Sequence, residues 1–585
     1  MERIVNRIKL KKLYSCPEIF EPIIFEDGVN IILGERSDAS TIRGRKTNGV
    51  GKSMSIEFLN FCLLKKYSDS RIKLIPNDVL KDDVLIKLDM EIGDVALTIC
   101  RNRGEQEKPI IIRDGNKITF EKLDEAQIYI KDLLYNNFRG EIVPSFRELI
   151  SPLIRDERSG FKKILECFDM SRKIPINFTP FLFYLDISLQ LYKKILDTVK
   201  KIKEIKEIVK NTKKEVTDGN RKKISDVKAE LNELDYELQK ISGAIESFKN
   251  NDAFDSLEKD LLRLEDLLDK LRLKQNSLKY ELQKINSLPK PETIENDEIE
   301  IAYNQFKEGL GDLIVKSLEE TIGFKMKIEK FQRSLVNQRA DDIQKELYNL
   351  ADDIRKVDEE YSNKIKIIDQ KGVLKNLKIS LKIFEQKNIE YSKKKILYEE
   401  YERAEKEKKA LFLKKTQEIA ELDIAIDEKK PLLDSFLMTL LDIHQVIMGN
   451  KECSFSIDTI NSKTNNKVVD IEMRIFDDGS HSVDRTKVFI FDMALLFNEY
   501  TRKRHPGLLI HDNIFDVDQD TLIQSLNFLS SQESKYHDFQ YILTLNRDKI
   551  ENEETLKHVV LDIDIHQRAK FTKMSKFLKQ DYQEI

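Results

Sequence analysis

Apolar and polar positions divide the chain into three stretches of different character. Up to about residue 185, short β-branched runs at 22–25, 29–33, 84–92, 95–100 and 110–112 are separated by turn signals such as Gly93-Asp94 and Asp114-Gly115-Asn116. Several of these runs alternate apolar with polar, as strands of an antiparallel sheet do. From about Phe183 the composition shifts to Lys, Glu, Leu and Ile, and no proline occurs until Pro289. There Leu257, Leu261, Leu264, Leu268, Leu271, Gln275, Leu278, Leu282 and Ile285 step by four and three, a coiled-coil seam with Gln275 as its register device. Pro289 and Pro291 stop that helix, and a less regular stretch runs to about Gly323. A looser copy of the pattern, for example Leu374, Leu377, Leu381 and Phe384, then continues to Pro431. Beyond it α/β character returns.

The pattern predicts five segments: an α/β part over 1–185, an outgoing arm over 186–288, a tip over 289–323, a returning arm over 324–430 and a second α/β part over 431–585. Arms of roughly 100 residues would each extend about 150 Å as one antiparallel hairpin. Breaks near Asn250-Asn251-Asp252 and Gln370-Lys371-Gly372 lie at comparable distances from the arm roots, as the two sides of one elbow would. The alternative is a helical bundle packed on itself, against which the narrowness of the seams argues.

Composition adds limits. The chain has 585 residues, of which 35% are charged, with only 12 Pro and 19 Gly, which fits long solvated helices better than a row of compact domains. A net charge of -4 conceals local blocks and says little about partners. Five cysteines lack CxxC spacing, which argues against a disulfide framework or a zinc site and suits a reducing compartment. The opening MERIVNRIKLKK has no apolar signal core, and no run approaches bilayer-spanning length. The expectation is a cytoplasmic protein without a membrane partner.

Candidate chemistry begins after the run 29–33, at Asn48-Gly49-Val50-Gly51-Lys52-Ser53. A strand, a glycine loop and a helix starting near Ser53 would close backbone N–H groups around phosphate oxygens. Lys52 would then reach the outer phosphates and Ser53 a magnesium ion. The usual spacing asks for glycine where Lys46 stands. If Gly34 is the first glycine of the loop, the polar and basic residues 35–46 are an insertion lying over the nucleotide or reaching toward DNA. A plain glycine turn before a helix is the other reading.

Later stretches match the first. Residues 507–512 form a buried-type strand delivering Asp512, which would hold Mg2+ through water; residues 541–546 form another, ending in Asn546, placed to sense the γ-phosphate. A polar turn carrying His481-Ser482-Val483-Asp484-Arg485 leads into an apolar helix, with Ser482 or Asp484 as candidate cap. PSFRELISPLIRDER, 144–158, reads equally as a nucleotide-sensing loop or an amphipathic helix.

This order of parts resembles the SMC/RecN class of ABC ATPases. The strings PSFRELISPLIRD, FIFDMALLF, LLIHDNIFDVD and YILTLNRD resemble more closely the SMC-like subunits of bacterial three-component ABC-ATPase conflict systems and Lamassu-type anti-phage defence. The resemblance implies an α/β ABC-type ATPase head assembled from the N- and C-terminal segments, with a long antiparallel coiled-coil hairpin inserted between them. It implies ATP and Mg2+ as cofactors, a head-to-head dimer, double-stranded DNA as ligand, and an effector nuclease with a small accessory subunit as partners. In such dimers Ser482 would face the γ-phosphate of the other head. The family's LSGGE glycines are missing here, so Arg485 or Lys487 would supply charge instead. The family's catalytic glutamate position is Asn513, which can orient water but cannot take its proton. Either hydrolysis is slow, or Asp516 or Asp518 acts as base, with Asn546 in the switch position. His511 reads as a strand-end structural residue.

Lys200, Lys201, Lys203, Lys206, Lys210, Lys213 and Lys214 at the root of the first arm form a basic run. It reads as a DNA-backbone contact or as the solvated face of a coil. The functional expectation is an ATP-switched subunit that clamps or senses DNA and controls an effector. The alternatives are a housekeeping repair or chromosome ATPase of the same class, and a coiled-coil scaffold with a vestigial nucleotide site.

Overall fold

The computed structural model of the protein describes residues 3–35, 49–167, 169, 174–249, 258–287, 318–366, 373–462, 466–475, 479–550 and 557–580. Both elbow strings, most of the expected tip, and the basic insertion from residue 36 onward together with Asn48 lie outside these residues. The chain divides into two compact units. The first comprises Met1–Ile195, Asp297–Leu318 and Glu418–Ile585; the second comprises Leu196–Asn296 and Glu319–Gln417.

In the first unit β1 (Ile8–Cys16), β2 (Ile23–Ile24), β4 (Leu85–Ile92), β5 (Val95–Arg101), β6 (Ile110–Arg113) and β7 (Asn116–Thr119) form an antiparallel sheet in the order β2-β1-β4-β5-β6-β7. Its alternation has the expected cause. Ile86, Leu88, Met90 and Ile92 of β4 are buried while the residues between them are half-exposed, as in a sheet with one covered face.

The second sheet is parallel throughout and takes strands from both ends of the chain. Its order is β13 (Gln567–Phe571), β3 (Gly28–Gly34), β12 (Gln540–Asn546), β11 (Leu508–His511) and β8 (Ile154–Arg155). β12 pairs with β3 from Gln540 opposite Gly28 to Asn546 opposite Gly34, so these two strands end side by side. Every residue of β3 and β11 is buried, as continuous apolar runs covered on both faces require. Around the sheets lie α1 (Lys52–Cys62), α2 (Leu123–Leu134), α3 (Phe146–Ile150) and α4 (Thr179–Tyr184). The C-terminal part adds α10 (Lys430–Met448), the hairpin β9 (Cys453–Thr459) with β10 (Val469–Ile475), α11 (His481–Phe497) and α12 (Gln519–Lys535).

α10 corrects one expectation. Its 19 residues, with a mean hydropathy of 1.2, are by length and composition enough to cross a membrane. In the fold Leu432, Phe436, Leu440, Ile443 and Ile447 are buried, and Phe436 packs on Phe455 and Phe491.

The second unit holds most of α5 (Leu189–Val216) and α9 (Val373–Asp427), together with α6 (Ile224–Lys249), α7 (Glu258–Ser287) and α8 (Leu318–Lys366). The α7 seam pairs antiparallel with α8: Leu261, Leu264 and Leu268 pack with Tyr361, and Leu278 packs with Ile343 and Leu350. The two arms do not run as one extended pair. Val227 and Leu231 of α6 pack on Tyr391, Leu397 and Tyr398 of α9, and Lys394 reaches Glu230 at 3.0 Å. α7 lies along the same α9, with Leu381 against the Leu264 cluster and Lys284 paired with Glu400. Nearly equal steps along the two helices, from Leu264 to Lys284 and from Leu381 to Glu400, make α7 and α9 parallel. The outgoing and returning arms thus keep their antiparallel pairing, α6 with α9 and α7 with α8, but the α7–α8 pair doubles back beside α6 and α9 instead of extending the hairpin. The physical reason is that apolar side chains outside the expected two-residue seam, such as Leu381, add a second contact stripe, and the Lys284–Glu400 ion pair lies along it.

Candidate functional site

The parallel sheet brings the separate stretches together at the C-terminal ends of its strands. Gly49, Val50, Gly51, Lys52, Ser53, Asp512, Asn513 and Asn546 line one cleft of about 400 Å³, with Met54, Arg71, Glu157, Lys576, Phe577, Leu578 and Gln580. Open α/β sheets place ligand crevices at this edge.

The loop geometry explains its glycines. Gly49 and Gly51 have φ of +73° and +107°, left-handed values that suit glycine. Gly51 is the first cap of α1 and no side chain caps that end, so the leading N–H groups of the helix stand at the cleft. A β-carbon on Gly34 would fall 2.6 Å from Lys52 Nζ, so the glycine is what lets the lysine lie across the end of β3. A β-carbon on Gly51 would meet Phe577 Cβ at 2.5 Å. Phe577 belongs to the segment after β13; its N–H donates to Val50 O at 3.2 Å, and its ring packs with Phe20, Phe58 and Phe571.

Lys52 is 8% exposed, and its Nζ donates to Asn546 Oδ1. Burial pulls its pKa down, while the charges of Asp512, Asp548 and Glu157 act upward. Asp512 is buried at the end of β11, with its N–H donating to Arg155 O at 2.8 Å and its Oδ1 accepting from Thr544 Oγ1 at 2.6 Å. Burial raises the Asp512 pKa, and the Ser53 and Thr544 hydroxyls oppose the rise. Asp512 Oδ2 is buried with no hydrogen-bond partner. An orphaned carboxylate oxygen near a serine hydroxyl and a phosphate-type loop is a donor set that fits a hard divalent cation sharing its shell with phosphate and water. Among the described residues no group of three or more His, Cys, Asp or Glu could hold a metal by itself.

Asn513 has φ +65° and is fixed by its backbone. Its N–H donates to Thr544 Oγ1 at 2.9 Å, and its carbonyl accepts from the Arg485 guanidinium. Its side-chain Nδ2 donates to Glu157 Oε1 at 3.3 Å.

Other expected residues stand elsewhere. Asp516 pairs with Lys549 at 2.9 Å, and Asp518 caps α12 by accepting from Thr521 N–H at 2.9 Å; neither lines the cleft. Ser482 Oγ donates to Asp518 Oδ2 at 3.1 Å, and the cap of α11 is Ser480, not Ser482 or Asp484. Arg485 is buried, turned toward Asn513 and over the Phe161 ring at 5.2 Å, rather than held outward to supply charge to another molecule. Lys487 lies 3.8 Å from Asp484. His511 is fully buried between Tyr541 OH, at 3.1 Å, and Asp492 Oδ2, at 3.0 Å, and burial lowers its pKa. Arg155 closes the same network with bonds of 2.6 and 2.9 Å to Asp492. The stretch 144–158 is divided: Ser145 and Glu148 make a capping box on α3, after which β8 and a turn present Glu157.

The lysine run lies on α5 within the second unit. Lys200, Lys203, Lys206, Lys210, Lys213 and Lys214 fall within an arc of roughly 140° at 100° per residue, with Lys201 off it. All but the half-buried Lys206 are exposed, while Ile202, Ile205 and Val209 are buried. Glu207 interrupts the arc, 3.8 Å from Lys210.

A family model described as an uncharacterised protein conserved in bacteria (DUF2326) matches residues 443–581. No curated protein matches the chain. Among solved structures, it is similar to the Smc head domain with a coiled coil and joint from Pyrococcus yayanosii, at 14% identity and TM-score 0.33, covering 94% of each chain. It is also similar to the Smc head domain with an extended coiled coil bound to the C-terminal domain of ScpA from Pyrococcus furiosus, at 10% identity and TM-score 0.33, covering 94% of this chain and 92% of that one.

Proposed function

We propose that this chain is an ATP-binding, slowly hydrolysing subunit of SMC-like type, whose α/β unit is an ABC-type head that dimerises around nucleotide. The observation that carries the reading is the convergence of Lys52, Ser53, Asp512 and Asn546 at one sheet edge, with a buried Asp512 oxygen left unpartnered.

The residues divide the work. Backbone N–H groups from Gly49 to Ser53 would cradle the phosphates, and Lys52 would exchange Asn546 for a phosphate oxygen. Ser53 and Asp512 would hold Mg2+, which neutralises charge developing on the phosphates. Asn546, released by Lys52, would face the γ-phosphate. Phe577 holds the loop from the C-terminal side, so the site needs both ends of the chain.

The exposed lysine arc on α5 supports double-stranded DNA as a ligand gripped through its backbone. Control of an effector nuclease with an accessory subunit, in cytoplasmic anti-phage defence, rests on the resemblance of the four strings alone. The test is the light-scattering mass of the purified chain with and without ATP and Mg2+, for wild type and Lys52→Ala. A dimer that needs both nucleotide and Lys52 supports the switch. A mass indifferent to both leaves a scaffold as the better account.

A further inference from the structure

The cleft holds a carboxylate that the nucleotide reading does not use. Among the described residues only Asp512 and Glu157 line it with carboxyl groups. Asp512 accepts from Thr544 with Oδ1 and has Oδ2 without a hydrogen-bond partner, the oxygen that the nucleotide reading gives to the cation. Asp516 and Asp518 are engaged with Lys549 and the α12 cap. Glu157 is exposed to solvent within the cleft, on the turn that follows β8, and its charge is felt at both Lys52 and Arg485. Asn513, next to Asp512, aims its amide at Glu157, and two backbone anchors hold it in that pose.

We infer that Glu157 and Asn513 share the handling of the attacking water, with Glu157 as its proton acceptor and Asn513 positioning both. The inference rests on the nucleotide reading above. In the step, the water oxygen forms a bond to the γ-phosphorus while the bond from that phosphorus to the β–γ bridging oxygen breaks. ADP leaves with that bond's electron pair, and the water proton passes to a Glu157 carboxylate oxygen. An amide at position 513 can donate to the carboxylate and accept from the water at the same time, so it fixes their relative placement without taking the proton. A carboxylate at 513 would repel Glu157, and the pair therefore divides the two roles between two residues.

The test uses the full chain and reads binding as well as turnover. Wild type, Glu157→Gln, and the double variant Glu157→Gln with Asn513→Glu are compared by equilibrium binding of a fluorescent ATP analogue at several Mg2+ concentrations, by phosphate release, and by light scattering in ATP. Glu157→Gln is expected to bind nucleotide within about two-fold of wild type, with the same Mg2+ dependence. It should release phosphate about 100-fold more slowly and accumulate the ATP-bound dimer. The double variant is expected to recover turnover, because it returns one carboxylate to the pair.

Unchanged phosphate release in Glu157→Gln overturns the inference and leaves the nucleotide reading intact. So does wild type that binds ATP without hydrolysing it. A roughly ten-fold loss of Mg2+-dependent binding in Glu157→Gln would make Glu157 a ligand of the cation and overturn it too. Failure of wild type to bind nucleotide is the separate outcome that removes the nucleotide reading itself.

Discussion

The two compact units solve the problem of burying a charged chain in opposite ways. In the α/β unit, β3, β11 and β12 bury almost every residue, and the polar side chains within them, Asn30, His511, Gln540 and Thr544, are hydrogen-bonded. Arg155, Asp492, His511 and Tyr541 form a closed network with hardly any exposure. In the helical unit, burial comes in small clusters of a few side chains, while Tyr348 remains 79% exposed and Phe331 64% exposed. Most of its polar contacts are surface ion pairs such as Glu281 with Arg339, which contribute little. A saturated sheet core can hold cleft residues in place; a thin seam can change neighbours at small cost.

Substitutions should sort along this difference. The largest loss is expected for Arg155→Ala, which strips a fully buried Asp492 of its main partner and should cost about 3–5 kcal/mol in denaturant unfolding. A surface-like loss below about 1 kcal/mol would break the contrast. Next, Ile32→Ala in β3 should cost about 4 kcal/mol, against about 2 kcal/mol for Leu264→Ala in the α7 seam, where neighbours can close the gap. Equal costs would show the two cores to be equally rigid.

A smaller, salt-dependent effect is expected at the α5 surface. Reversing Lys203, Lys210 and Lys214 to Glu should weaken duplex DNA binding several-fold at low salt and flatten the salt dependence by about one unit per lost contact. Binding with the same slope in the variant would remove this face from the DNA account.

The smallest effect is a pH term in the α/β unit. His566 Nε2 meets Glu533 Oε2 at 2.7 Å, and that bond is the main cause raising the His566 pKa. Because the folded value is raised, the stabilisation is full below the unfolded value near 6.5 and is lost as pH rises through the folded value. Wild type should therefore lose slightly more melting temperature than His566→Gln between pH 6 and 8. Parallel curves would contradict the pairing.

The same contrast explains what the sequence disclosed. Residues 29–33, 507–512 and 541–546 were legible as strands because continuous apolar runs bounded by glycine or polar residues have few other uses. The glycines before Lys52 were legible because a loop closing on a helix start demands them. Glu157 was hidden inside a stretch that reads equally as a helix, and only its turn after β8 exposes it. Phe577 had no motif at all; its role follows from a contact with Val50 across most of the chain. The doubling back of α7 and α8 was hidden for a different reason. Heptad spacing specifies the stripe along Leu261, Leu264 and Leu268 but not how many helices share it, and Leu381 becomes a neighbour only in three dimensions.

The central claim is that Lys52 and Asp512 make one site for a nucleotide and its cation. Its most direct test is isothermal calorimetry of ATP binding, with Mg2+ present or chelated, to wild type, Lys52→Ala and Asp512→Asn. Binding should weaken about 100-fold in Lys52→Ala, since a charged contact to phosphate is lost. Asp512→Asn should bind ATP yet lose the enhancement by Mg2+. Unchanged heats in both variants would contradict the account and leave the cleft without the role assigned to it.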